Sequence, residues 1–89
     1  MDEESTKAEY YLGKDAEDFI ESELGRYIIG RIEQERAELV AKLIATPARA
    51  NRRITQLQNE IWRCDTFKGW LADMVVRGKQ ALHQLETEE

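Results

Sequence analysis

The sequence predicts an all-α fold, and three observations support this prediction. Only one of the 89 residues is Pro and five are Gly, while good helix formers such as Ala, Leu, Glu, Arg and Gln are abundant. From Ile54 to Leu85 apolar residues recur with heptad spacing, which is typical of a helix that packs along another helix. Pro47 separates this apolar stripe from a second helical pattern upstream. We therefore expect a two-helix antiparallel hairpin that assembles into a helical bundle.

The N-terminal third is expected to contain an acidic arm and the first helix. Residues 1–14 open with charged and polar side chains, which predicts a mobile arm. Asp15 is a candidate cap for the first helix, which should run from about Ala16 to about Ala45. Gly25 lies on the apolar face of this helix, where it is expected to let a partner backbone approach. That face is formed by Ile20, Leu24, Ile28, Ile32, Leu39 and Leu43.

Thr46 and Pro47 form the predicted corner of the hairpin. A residue before Pro avoids helical geometry, whereas Pro itself suits the first position of the helix that follows, with Thr46 as its cap. The second helix should then run from Pro47 to about Glu86, so that the hairpin spans 15–86 and residues 87–89 form a frayed tail. A single long helix kinked at Pro47 is the alternative.

The apolar surface of the second helix exceeds what one partner helix can cover. The second helix is longer than the first, so its far end must be covered by residues 1–14 or by another subunit. A two-helix hairpin also buries too little apolar surface to be a stable monomer. Self-association is therefore expected. The candidate interaction residues are Tyr27 on the flank of the first helix, Met74 beside the stripe of the second, the displaced Trp62 and Trp70, and the basic residues Arg49, Arg52 and Arg53 after the corner.

Charge is unevenly distributed along the chain. The net charge is −5, which argues against nucleic acid as a general partner. Residues 1–38 hold twelve acidic and five basic side chains, whereas residues 42–63 hold five basic and one acidic. The two regions either attract each other across a subunit contact or form an ordinary solvated surface. Glu33 and Arg36 are spaced for an ion pair along the first helix.

Residue patterns for catalysis and metal binding are missing. His83 is the only His, and Gln80 stands where a ferritin-like Glu-x-x-His pair would need Glu. Cys64 lies in the apolar stripe as a small buried residue, and no Gly-rich phosphate loop is present. We therefore expect a protein that is not an enzyme and has no cofactor and no metal. No run of residues suits a membrane span or a signal peptide, and the single Cys suits a reducing cytosol.

Several segments resemble a known group of proteins. They are Phe19–Tyr27 with its continuation to Glu35, Ile54–Arg63, Phe67–Ala72 and Gly78–Ala81. Together they resemble small acidic helical proteins of tailed bacteriophages that are often encoded among packaging and head genes. The resemblance covers about residues 10–85, and the group has no agreed activity and no assigned site residues. It commonly shows Asp-Pro at the corner, where this chain has Thr46-Pro47.

The resemblance implies a phage interaction protein in the bacterial host cytosol or in the virion. Its expected role is accessory to particle assembly or DNA packaging, with a portal, head or packaging protein as partner besides itself. The alternative is a small acidic inhibitor of a host or defence protein, in which the acidic first helix imitates nucleic acid. A third hypothesis is nucleic-acid binding by Arg49, Arg52, Arg53 and Arg63, although nucleic acid is not the partner we expect.

Overall fold

The computed structural model describes residues 2–87 and consists of three α-helices in that range. They are α1 (Glu3–Glu21), α2 (Glu23–Ala45) and α3 (Asn51–Thr87). The predicted all-α class is confirmed, but the prediction of two helices is wrong. What the sequence pattern indicated as one helix from Ala16 to Ala45 is divided between α1 and α2.

α1 begins much earlier than predicted. The Asp2 carboxylate accepts a hydrogen bond from the Ser5 N–H at 2.8 Å, and Glu3 and Glu4 place negative charge in the first turn. Residues 3–14, which the composition predicts as a mobile arm, are therefore helical, and Met1 lies outside the described residues. Asp15, the predicted cap, lies inside α1 because Asp2 already caps this helix.

Ser22 separates α1 from α2. Its backbone is extended (φ −71°, ψ 159°), and its hydroxyl accepts the Gly25 N–H at 2.9 Å, which caps α2. A Cβ atom on Gly25 would lie 1.6 Å from the carbonyl oxygen of Phe19, so this bend requires Gly. Gly25 does admit another backbone, as the sequence suggested, and this backbone is the last turn of α1, which the sequence pattern assigned to the same helix as Gly25.

The connection between α2 and α3 contains the predicted corner. The Thr46 hydroxyl donates to the Lys42 carbonyl at 2.6 Å, so Thr46 ends α2 and does not cap the next helix. A turn closed by the Ala50 N–H to the Pro47 carbonyl follows, and α3 therefore begins at Asn51 and not at Pro47. The sequence predicted a frayed tail over residues 87–89. Thr87 is instead part of α3, and residues 88 and 89 lie outside the described part.

Both α1 and α2 run antiparallel to α3. Arg36 pairs with Asp65 and Glu33 pairs with Lys68 across α2 and α3, which identifies a hairpin and excludes a kinked rod. α1 packs along the C-terminal half of α3 and forms the most extensive helix contact of the molecule. The overhang of the second predicted helix is thus covered by the N-terminal segment. The residues buried along α1 are all small: Thr6, Gly13 and Ala16.

The molecule is a thin rod with a narrow core. Its radius of gyration is 18.0 Å and its dimensions are 60 × 29 × 15 Å. A compact chain of this length would have a radius of gyration of about 12 Å. The buried apolar residues are Ala16, Leu39, Leu57, Leu71 and Ala81. One line of contacts along α3 therefore holds the helices together, and the opposite side of α3 is not covered.

Candidate interaction surface

The uncovered side of α3 carries an apolar surface. Trp62 and Trp70 are each 66% exposed, and Val76 is 51% exposed. Trp62, Gly69 and Val76 follow one another at seven-residue steps, so they lie along one line of the helix, and Trp70 lies about 100° round the helix from Gly69. We call these four residues the outer face of α3. The Thr66 hydroxyl donates to the carbonyl of Trp62 at 2.8 Å, so the polar group between the two Trp residues is already bonded within the helix.

The other predicted apolar interaction residues lie elsewhere. Tyr27 is exposed on α2. Met74 is half-buried in a groove between α1 and α3, which is also lined by Glu9, Leu12, Asp73 and Arg77. Trp62 and Trp70 are therefore both exposed on the uncovered side of α3, Met74 lies one turn after Trp70 where α1 begins to cover the helix, and Tyr27 lies on a different helix.

The predicted arginines surround the corner. Arg49 lies in the connection between α2 and α3, and Arg52 and Arg53 lie in the first turn of α3. All three side chains are exposed, and none takes part in the ion pairs found within residues 2–87. The first turn of α3 contains no acidic residue, so the positive helix end and three guanidinium groups lie together. This arrangement favours contact with an acidic surface.

The two ends of the rod have opposite charge. Residues 2–21, which form α1 and its cap, include eight acidic and two basic side chains. Residues 42–63 around the corner include five basic side chains and one acidic side chain. Because α1 lies along the C-terminal half of α3, these two groups occupy opposite ends of the molecule. The rod is therefore acidic at the α1 end and basic at the corner.

One ion pair joins α2 to α3 in the middle of the rod. Arg36 Nε lies 2.6 Å from Asp65 Oδ1, and its Nη2 lies 3.2 Å from Oδ2. The hydrogen bond from Arg36, together with its positive charge, holds the pKa of Asp65 below the usual range. The pKa of Arg36 is raised by the same hydrogen bond. Arg36 thus pairs across the hairpin and not with Glu33, whose partner is Lys68.

The titratable residues singled out in the sequence do not converge. His83 is exposed on α3. Cys64 is half-buried with a free thiol, at a groove lined by Glu35, Leu39, Glu60 and Arg63. Over residues 2–87, no three side chains of His, Cys, Asp or Glu lie close enough to share a metal ion. In the same range, none of the helices combines the length and the apolar character needed to cross a membrane.

No protein-family model, no curated protein and no solved structure matches the chain.

Sequence reasoning missed three features of the surface. Leu24 was expected on the apolar face, but it is exposed because the break at Ser22 turns Gly25 inward instead. Ile44 is exposed in the last turn of α2. Gly69 has open space around it, since a Cβ atom placed there meets nothing within 4 Å. The seven-residue spacing from Trp62 through Gly69 to Val76 was the available signal for this last feature.

Proposed function

We propose that this chain is a non-enzymatic interaction protein that acts through helix-mediated self-association. The observation that carries the proposal is the area of exposed surface. The chain exposes 6884 Å², whereas a folded monomer of this mass is expected to expose about 5,400 Å². A rod two helices wide cannot cover α3 on all sides, so a further partner would complete its burial.

The character of the exposed residues supports the same proposal. Trp62, Trp70 and Tyr27 remain mostly in solvent although each offers a large apolar surface. Aromatic side chains are enriched at the centres of protein interfaces and depleted from ordinary exposed surface. A helical surface with two uncovered Trp residues is therefore suited to bind another helix.

The proposed biological role and cellular location of this protein rest on the sequence resemblance alone. Small acidic helical proteins of tailed phages suggest a role accessory to particle assembly or DNA packaging, in the host cytosol or in the virion. A portal, head or packaging protein would then be the partner besides a second copy. The acidic α1 end favours one other candidate, an inhibitor of a host or defence protein, because eight acidic side chains are grouped there.

Sedimentation velocity at micromolar concentration tests the self-association. The parent protein should sediment as an oligomer, and Trp62→Ala and Trp70→Ala should each shift the distribution toward monomer. Tyr11→Ala is the matched control because Tyr11 is equally exposed but lies on α1. A parent that is monomeric and fully helical would contradict the proposal.

Affinity pull-down from infected cells tests the place of action. Recovery of a portal or packaging protein together with the chain supports the assembly role. Recovery of a host nuclease supports the inhibitor instead, and nucleic acid alone contradicts both.

A further inference from the structure

We infer that the partner on the outer face of α3 is a second copy of this chain, aligned antiparallel, with the two α3 helices crossing at Gly69. This inference rests on the proposed self-association and specifies its geometry. It follows from the open space at Gly69, the position of Gly69 within α3, the charge of the rod ends and the available area.

Gly69 has no role inside the described chain that explains its presence. It is exposed in the middle of α3, and a Cβ atom there would meet nothing within 4 Å. Gly within a helix is less favourable than Ala by about 0.5–1 kcal/mol. At the crossing of α1 and α3 this protein uses Gly13 and Gly78 to bring two helix backbones into contact. A second backbone approaching Gly69 would give this residue the same role.

The position of Gly69 makes the outer face complementary to itself. Gly69 lies within the central part of α3, between Trp62 and Val76. Trp62 precedes Gly69 by seven residues and Val76 follows it by seven. A two-fold axis at Gly69 therefore places Trp62 of one copy opposite Val76 of the other, and the pair occurs twice. Gly69 itself would face its equivalent, where the small residue leaves room between the bulky pairs.

Charge selects the antiparallel orientation over the parallel one. In a parallel pair the two acidic α1 ends would lie together, and so would the two basic corners. In an antiparallel pair the basic corner of each copy lies beside the acidic end of the other. Such complementarity speeds association and disfavours the wrong orientation.

The available area is sufficient for a stable contact. The surface exposed beyond that of a compact monomer is about 1,500 Å² per chain. A standard interface needs about 800 Å² from each partner. The excess is therefore larger than the area that a standard contact with one further copy would bury.

Distances between spin labels distinguish the possible arrangements. The label is attached through Gln80→Cys, in a protein whose native thiol is removed by Cys64→Ser. Gln80 is exposed and lies eleven residues beyond Gly69. At a rise of 1.5 Å per residue, an antiparallel pair centred on Gly69 places the two labels about 35 Å apart. A parallel pair places them within about 15 Å.

Each result of the labelling experiment decides a specific point. A distance near 35 Å supports the inference, and a distance below 15 Å overturns the antiparallel orientation. Another distance in an oligomer overturns the crossing at Gly69, while self-association stands. A monomer without any dipolar coupling overturns both this inference and the proposed self-association.

Substitution of the glycine gives an independent test with a matched control. Gly69→Ala and Gly30→Ala each add a methyl group at an exposed helix position with open space around it. Both should leave the helix content at least as high as in the parent, measured by circular dichroism. Only Gly69→Ala should weaken self-association, by tenfold or more in Kd. Equal affinity of the two variants and the parent would overturn the crossing at Gly69.

Discussion

A Cβ atom on Gly13 would lie 2.6 Å from the Cα atom of Gly78, so α1 and α3 meet backbone to backbone. The reverse distance, from a Cβ atom on Gly78 to the Cα atom of Gly13, is 2.7 Å. Because backbone atoms cannot turn aside as a flexible side chain can, either substitution must push the helices apart.

We therefore expect Gly13→Ala and Gly78→Ala to lower the free energy of unfolding by about 1–3 kcal/mol each. Urea denaturation followed by circular dichroism measures the loss. Gly30→Ala is the control, since it adds the same methyl group in open space and should raise stability by up to about 1 kcal/mol. Similar effects of all three variants would show that the crossing does not limit the approach of α1.

The ion pair between Arg36 and Asp65 should make stability depend on pH. The pKa of Asp65 is lowered in the folded state. Its contribution is therefore complete above the ordinary carboxylate pKa of about 3.9 and is lost as the pH falls through the lower folded value. The urea midpoint of Asp65→Asn should lie below that of the parent at pH 7, and the difference should shrink below about pH 4.

Asp73→Asn is the control for this experiment. Asp73 pairs with Arg77 at 3.0 Å within α3, so its loss does not release one helix from another. If the urea midpoints of both variants depend on pH in the same way, the ion pair between Arg36 and Asp65 contributes no more to stability than an ion pair within one helix.

The cap at Ser22 should contribute to the stability of α2. Ser22→Ala removes the hydroxyl that accepts the Gly25 N–H, and we expect a loss of about 1 kcal/mol. Thermal and urea denaturation measure it. The matched control is Ser5→Ala, because Ser5 is exposed in α1 and contributes its backbone N–H, not its hydroxyl, to the cap at Asp2. A loss as large in Ser5→Ala would contradict the capping role.

The corner arginines should act in assembly and not in binding nucleic acid. A variant with Arg49→Ala, Arg52→Ala and Arg53→Ala should associate more weakly than the parent at low salt. The difference should narrow at 0.5 M salt, where exposed charges are screened, and sedimentation velocity at both concentrations measures it. Micromolar binding of the parent to duplex DNA at physiological salt, weakening steeply as salt increases, would contradict this assignment.

Sequence patterns predicted the α2–α3 hairpin because its signals are strong and local. The apolar stripe around Leu57 and Leu71 identified the buried side of α3, and Pro47 identified the connection. The same spacing indicated that Trp62 lies away from that side. The corner arginines were recognised by composition, and they lie together in the structure because they are neighbours in the sequence.

The remaining features depend on small residues and on the close approach of helix backbones, and neither produces a recognisable pattern of hydrophobic residues in the sequence. α1 packs through Thr6, Gly13 and Ala16, whose side chains contribute almost no apolar signal. Gly78 has no side chain to contribute to the apolar stripe, yet it is the point where α1 crosses α3. The break at Ser22 depends on Gly25 three residues later, and a Ser in a helical pattern is otherwise unremarkable.

The extended backbone at Ser22 divides the hydrogen-bond ladder of the first arm, so α1 and α2 need not open together. Both α1 and α2 pack on α3, with α1 on its C-terminal half and α2 on the half nearest the corner. We therefore expect the molecule to open as two cooperative units that share one helix. Amide protons of α1 and of residues near Gly78 should exchange with solvent as one group, and those of α2 and residues near Asp65 as another, each with its own free energy of opening.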